Sequence, residues 1–191
     1  MKIFKDKHNL QDELSNVNRV CFIPTMGGLH KGHIYLINKS KKFNRKILVS
    51  IFINPKQFND KKDFLKYPRN FKKDLNLLKM LKVNYVYLPN YKDIFKFKPK
   101  NKIFLDKFSN KLCGRTRKGH FSGVLNVVNR LIEIINPKYL LLGKKDFQQL
   151  YLIKKHLLKR KIHTKIVECE TVREKNGLAC STRNNNLSKR Y

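Results

Sequence analysis

Pro24-Thr25-Met26-Gly27-Gly28-Leu29-His30-Lys31-Gly32-His33 joins two segments of different character. Before it, Val20-Cys21-Phe22-Ile23 is a short unbroken apolar run, the pattern of a buried strand. After it, Ile34-Tyr35-Leu36-Ile37 opens a helical pattern that spans Gly32 to Phe43. The stretch is therefore a strand-to-helix turn rich in glycine. Glycines let the backbone approach a ligand closely. A helix N-terminus offers free N–H groups and partial positive charge, which suits phosphate. The imidazoles of His30 and His33 can donate hydrogen bonds to phosphate oxygens, or carry a proton. Together these parts would hold a triphosphate.

Outward from this turn, helical patterns alternate with short apolar runs. That argues an α/β fold: a Rossmann-like, mainly parallel sheet with helices on both faces. Ile3 to Leu14 reads as an N-terminal helical segment, and Lys46 to Ile53 as the clearest strand, apolar enough to be covered on both faces. The loop Asn54 to Arg69 is polar. A helix follows over about Asn70 to Leu81, then a strand over Asn84 to Leu88. A turn is expected around Tyr91 to Phe95 and a short strand at Ile103-Phe104-Leu105. Phe121 to Ile135 is a deeply packed helix, apolar almost all round. Tyr139 to Leu142 is a strand, Asp146 to Arg160 a helix, and Lys165 to Glu168 the last strand. Everything after Thr171 is polar and turn-like. The dinucleotide fingerprint G-x-G-x-x-G and the P-loop are both absent, so nucleotide binding would have to use the histidine turn.

The 191 residues suit one ordinary domain, and no apolar run approaches the ~20 residues of a membrane helix. The N-terminus has no signal-peptide pattern, and no two of the four cysteines stand at C-x-x-C spacing. A reduced, cytoplasmic protein with no membrane partner is the expectation. The formal charge of +31 raises nucleic-acid binding as an alternative. Its lysines are spread along the whole chain, so a lysine-rich surface with no specific nucleic-acid partner is the preferred reading.

Further segments carry chemistry. Gln57, in Ile51-Phe52-Ile53-Asn54-Pro55-Lys56-Gln57-Phe58, follows a central strand, where ligands of open sheets bind. Its amide both donates and accepts, which suits a hydroxy-carboxylate. Arg117 sits in the basic loop Cys113-Gly114-Arg115-Thr116-Arg117-Lys118-Gly119-His120, ahead of a helix; it is an anion contact, and His120 an ordering residue. Gly143-Lys144-Lys145-Asp146-Phe147-Gln148-Gln149 is a second strand-to-helix turn suited to phosphate, with Lys144 pointing to solvent.

The histidine turn resembles the H-x-G-H signature of the nucleotidyltransferase superfamily. The longer run is similar to that of one family within it, the pantothenate synthetases (pantoate–β-alanine ligases). The Gln57 segment resembles that family's S-I-F-V-N-P-x-Q-F, and Tyr67-Pro68-Arg69 with Asp74 its Y-P-R-T-x-x-x-D. Cys113 to Val124 resembles R-P-G-H-F-x-G-V, and Gly143 to Leu150 resembles G-E-K-D-Y-Q-Q-L. Thr171 to Asn184 resembles T-V-R-E-x-D-G-L-A-M-S-S-R-N. These segments keep the family's order and cover most of the chain from Cys21 to Asn184.

The resemblance implies ATP-dependent condensation of pantoate with β-alanine through a pantoyl adenylate, releasing AMP and pyrophosphate. It implies ATP contacts at Met26, Gly27, Gly28, Leu29, His30, Lys31, Gly32 and His33, and again at Gly143, Lys144, Lys145 and Asp146. Val172, Cys180, Ser181, Thr182 and Arg183 complete that set. Catalytic roles fall to His33, His30 and Lys145, with His33 as proton donor. Substrate contacts fall to Gln57, Gln149 and Arg117. A Mg²⁺ contact falls to Asp74. The family's acid before Asp74 is Lys73 here, its glutamate is Lys144, its methionine is Cys180, and one of its serines is Thr182. The resemblance also implies a homodimer. It divides the chain into an N-terminal Rossmann-like ATP- and pantoate-binding domain over 1–184 and, at 185–191, the start of a lid domain, absent or truncated, whose loss would impair turnover. Another adenylyl- or cytidylyltransferase of the superfamily, or an impaired remnant, is the alternative.

Overall fold

The structure, a computed structural model, describes residues 1–187. The expected lid-domain start at 185–191 lies largely outside the described residues.

Six parallel strands form one sheet in the order β1-β4-β3-β2-β5-β6. They are β1 (Lys2–Phe4), β2 (Cys21–Thr25), β3 (Ile47–Ile51), β4 (Tyr85–Tyr87), β5 (Tyr139–Gly143) and β6 (Lys165–Cys169). The helices are α1 (Lys7–Ser15), α2 (Lys31–Ser40), α3 (Lys61–Lys66), α4 (Phe71–Met80), α5 (Tyr91–Phe95), α6 (Cys113–Thr116), α7 (His120–Ile135) and α8 (Phe147–Lys159). Strand alternation sorts the core into two layers. Phe22, Leu48 and Leu140 face one side, where they meet Leu10 of α1, Ile94 of α5 and the apolar faces of α7 and α8. Cys21, Ile23, Val49, Val86 and Leu141 face the other, against Ile37 of α2 and Leu78 of α4. This is the expected Rossmann-like arrangement, with both faces of the sheet covered.

Several expectations change, and the turn expected around Tyr91 to Phe95 is the helix α5. Ile3 to Leu14 is not one helix: Lys2–Phe4 pairs with β4 (Lys2 opposite Tyr85, Phe4 opposite Tyr87), and the helix begins only after Asp6, whose carboxylate accepts from the His8 and Asn9 N–H groups. A three-residue edge strand is too short to show a period. Ile103–Leu105 forms no strand; the Phe104 N–H donates instead to the His156 imidazole at 3.1 Å. The polar loop 54–69 holds a one-turn 3-10 helix at Pro55–Gln57 and α3.

The switch in strand order lies between β2 and β5, since the chain leaves β2 toward β3 and leaves β5 toward β6. The Cys21 N–H donates to the Lys46 carbonyl and the Thr25 carbonyl accepts from Phe52, so alternate residues of β2 face β3. Phe22 and Pro24 therefore face β5. β2 and β5 pair only at Cys21 opposite Tyr139 and Phe22 opposite Leu140. Pro24, which has no N–H to give, stands where that ladder ends. A proline inside a central strand thus marks the mouth of the crevice rather than the end of the strand, which was expected at Ile23.

Candidate active site

Two turns flank the crevice at the strand C-termini, the general ligand position of open α/β sheets. The first begins after β2. Gly27 and Gly28 take positive φ (80° and 62°), a conformation that favours glycine. Asp74, buried on α4, grips this turn from outside the sheet. Its Oδ2 accepts from the Gly28 N–H and its Oδ1 from the Leu29 N–H, both at 2.9 Å. Both carboxylate oxygens are thus engaged by backbone.

The two histidines then cap α2. His30 is the N-cap; its Nδ1 accepts from the Gly32 N–H at 3.1 Å. The His33 Nδ1 reaches back and accepts from the His30 N–H at 3.2 Å. This is a capping box built from imidazoles. Because each Nδ1 is an acceptor, each neutral ring carries its proton on Nε2. Both rings line the cavity. Burial pushes the His33 pKa down to about 3, reinforced by His30 and by the Lys145 ammonium. Burial and then Lys145 lower that of His30. Burial therefore favours the uncharged, hydrogen-bond-donating form of both rings.

The second turn follows β5. Lys145, Asp146 and Gln149 line the same cavity. Among the described residues Lys145 has no carboxylate at ion-pair distance, whereas its neighbours in function are paired away: Lys144 with Glu170 and Lys31 with Glu174, each at 2.6 Å. Of these three lysines, Lys145 is the one that lines the crevice.

Gln57 is held by α7. The Asn54 side chain, fully buried, donates to the Gly123 carbonyl at 3.1 Å. The His120 Nδ1 lies 2.6 Å from the Gln57 carbonyl. Gly123 packs so closely that an added Cβ would stand 2.3 Å from the Lys56 carbonyl oxygen. His120 is thus the ordering residue that was expected, acting on the Gln57 loop, although its ring also reaches the cavity wall.

The third element is the chain after Thr171. Arg173 and Ala179 form an antiparallel bridge, and residues Thr182–Asn186 a 3-10 turn capped by the Ser181 hydroxyl. The Thr182 hydroxyl donates to the Gly28 carbonyl at 2.9 Å. The cavity so enclosed is about 220 Å³. Its wall brings together Met26, His30, His33, Gln57, Arg117, Lys145, Asp146, Gln149, Ser181, Thr182 and Arg183, with Val124 and Val127 of α7 on the apolar side. Standing off this wall are Gly27, Gly28, Leu29, Lys31, Gly32, Gly143, Lys144, Asp74, Val172 and Cys180. The Cys180 thiol points to Glu174 Oε1 at 3.1 Å, and the Val172 carbonyl accepts from the Cys180 N–H. Tyr67 joins the wall and Asp63 binds Arg183 from behind, two roles not read from the sequence. Asp63 sits among lysines in a polar loop, and only its distance to Arg183 in space marks it.

Residues 2–191 match the sequence model of the pantoate-beta-alanine ligases. The chain belongs to that family. It is 47% identical to the bifunctional pantoate ligase/cytidylate kinase of Prochlorococcus marinus (strain NATL2A), over 98% of this chain and 38% of that one. It is 42% identical to the pantothenate synthetase of Francisella tularensis subsp. novicida, over 96% of this chain and 71% of that one. The crystal structure of the Francisella tularensis pantoate-beta-alanine ligase, complexed with beta-gamma ATP and beta-alanine, superposes with a TM-score of 0.93 at 40% identity, covering 99% of this chain and 74% of that one. A Thermus thermophilus relative superposes at 0.92 with 32% identity, covering 100% of this chain and 69% of that one. The chain thus spans little more than a third of the bifunctional relative and about seven tenths of the single-function ones. Family membership and these superpositions give the chain the fold of the pantoate-beta-alanine ligases.

Proposed function

We propose that this chain binds ATP in the β2/β5 crevice and condenses pantoate with β-alanine to give pantothenate, AMP and pyrophosphate. The observation that carries the reading is the convergence of two neutral imidazole donors, the Lys145 ammonium and two glutamines on one cavity. In the first step a pantoate carboxylate oxygen bonds to the α-phosphorus, and the bond from that phosphorus to the pyrophosphate oxygen breaks. The Nε2–H groups of His30 and His33 and the charge of Lys145 stabilise the phosphate oxygens as negative charge shifts onto them. In the second step the β-alanine amine attacks the acyl carbon, AMP leaves with the carboxylate oxygen, and the amine loses a proton. Gln57 and Gln149 orient the pantoate, and this positioning supplies much of the acceleration. Ser181 and Arg183 contact the outer phosphates, and Arg117 the pantoate carboxylate.

Mg²⁺ would enter this site with the nucleotide rather than in a cage of side chains. Among the described residues no group of three or more His, Cys, Asp or Glu side chains could hold a metal. The ion would enter on phosphate oxygens and water, its usual mode with nucleotides, and add charge neutralisation there. A cytoplasmic homodimer completes the proposal: the four free cysteines accord with a reducing compartment, and the dimer rests on family resemblance. No helix among the described residues is long and apolar enough to cross a membrane.

The test is pyrophosphate release from ATP and Mg²⁺ with pantoate, with and without β-alanine, on wild type and Lys145→Ala. Pantoate-dependent release that Lys145→Ala abolishes, with pantothenate formed when β-alanine is added, is the expected result. No pantoate-dependent release from the wild type would overturn the reading.

A further inference from the structure

Arg183 lies on the cavity wall, and one edge of its guanidinium is already engaged. Its Nη2 donates to Asp63 Oδ2 at 2.8 Å and its Nε to Asp63 Oδ1 at 3.3 Å. The group also stacks over the Tyr67 ring, 5.6 Å from its centre. A guanidinium has five N–H donors, so this fork consumes two and leaves the Nη1 edge free. The carrier of Asp63 is braced in turn. α3 is a six-residue helix, too short to hold its shape unaided. Asp60 caps it, accepting from the Lys62 N–H at 2.7 Å. Arg69 donates to the Phe64 carbonyl at 2.9 Å and lies over the Phe64 ring. Phe58 packs edge-on against both Phe64 and Tyr67.

The Arg183 and Asp63 side chains are 47% and 39% exposed, and a pair so exposed adds little to folding stability. What a two-point fork does is fix the rotation of a planar group. We propose that Asp63 is a positioning residue: it locks the Arg183 plane so that the free Nη1 edge meets the β- and γ-phosphates of a bound nucleoside triphosphate. This rests on the reading of Arg183 as a triphosphate contact. Asp63 itself touches no substrate. Its negative charge repels phosphate, and the cost is outweighed by Lys145 and Arg117, which share the wall with Arg183.

The experiment is calorimetric titration of a non-hydrolysable ATP analogue, and separately of AMP, into wild type, Asp63→Asn, Arg183→Ala and the double variant. Thermal melts confirm that each is folded. Asp63→Asn is expected to weaken the ATP analogue roughly fivefold. Arg183→Ala should weaken it further, and Asp63→Asn should add nothing in the Arg183→Ala background. AMP, which lacks the outer phosphates, should bind all four proteins alike. Arg183→Ala at wild-type affinity would overturn the triphosphate reading of Arg183, and this inference with it. Weak binding by Arg183→Ala with normal binding by Asp63→Asn would overturn this inference alone. So would tighter binding by Asp63→Asn, which would make Asp63 a competitor of phosphate, or an equal loss of AMP, which would make its role merely structural.

Discussion

The Thr182 hydroxyl donates to the Gly28 carbonyl at 2.9 Å, tying the segment after Thr171 to the histidine turn across 154 residues of sequence. The fit is tight: a Cβ added at Gly28 would stand 2.2 Å from the Thr182 methyl. Gly28 is therefore held at both of its backbone polar groups, its N–H by Asp74 and its carbonyl by Thr182. Thr182→Val keeps the shape and removes the donor, leaving a carbonyl short of about 1 kcal/mol or more of hydrogen bonding. We expect it to weaken ATP binding by up to roughly tenfold, with Thr182→Ser near wild type. Equal affinity in Thr182→Val and wild type would show that the tie does not matter for the nucleotide.

Asp74 accepts from two backbone N–H groups and stands 3% exposed. Asp74→Asn can accept only one of them and turns an NH₂ toward the other. Unpaired buried donors cost about 1–3 kcal/mol each, and here the cost falls on the turn that aims His30 and His33. The expected outcome is a large fall in kcat, with the Mg²⁺ concentration for half-maximal rate unchanged. A shift of the Mg²⁺ dependence matching the loss of rate would make Asp74 a metal contact, as the family resemblance suggested, rather than a clamp.

Gly123 is where α7 meets the Gln57 loop. A methyl there drives into the Lys56 carbonyl, so Gly123→Ala must shift backbone on one side or the other. The shift moves Gln57 and disturbs the His120–Gln57 contact. We expect KM for pantoate to rise at least severalfold while ATP affinity, measured by titration, stays within about twofold. A loss confined to ATP would place the Gln57 loop on the nucleotide instead.

These contacts show what could be read along the chain and what could not. The sheet was legible because β3 and β5 are nearly continuous apolar runs and α7 carries a broad apolar face, patterns that local sequence carries by itself. The two strand-to-helix turns were legible because in each a glycine separates an apolar run from a helical pattern. β1 was not, since three edge residues have no period and its pairing with β4 is 83 positions distant. Asp63 and Asp74 were equally hidden as to role. Each is one acid in a lysine-rich stretch, and its partner is fixed only when the chain closes. Pro24 was misleading for a physical reason: a proline ends a ladder on one side only, and β2 still pairs with β3 on the other.

The imidazole capping box has a pH signature. His33 sits with its pKa pushed down to about 3, by burial first and then by the nearby positive charges. An anionic triphosphate beside its Nε2 raises that pKa. A ligand that raises a pKa binds more tightly to the protonated form, so ATP affinity should strengthen as pH falls through the raised value. Proton NMR of the ring should show His33 flat from pH 8 to 5 in the free protein and titrating at higher pH when an ATP analogue is bound. A free-protein titration near 6.5 would contradict the tautomer assignment and the neutral-donor role together.

His156 gives the last prediction, on stability. It is 1% exposed, and its Nδ1 accepts from the Phe104 N–H at 3.1 Å. Its Nε2 therefore carries the proton, donated to Asn129 Oδ1 at 3.0 Å, and Asn129 holds the Asn101 carbonyl at 2.8 Å. The residues that fail to form a strand at 103–105 are thus pinned to α7 and α8 by one neutral ring. Burial, reinforced by Arg160, lowers the His156 pKa to about 4. The unfolded chain, with an ordinary histidine pKa, binds the proton more readily than the native protein between about pH 4 and 6.5. The ring's contribution is therefore complete above about pH 6.5 and is lost as pH falls toward 4, a change of order 2–3 kcal/mol. His156→Gln removes the titration along with part of the pinning. In urea unfolding it should be less stable than wild type at pH 7.5 by about 1–3 kcal/mol, yet lose less on going from pH 6.5 to 4.5. Parallel pH slopes for the two proteins would show that the native ring is protonated without penalty, and that Phe104 is held by something other than a neutral Nδ1.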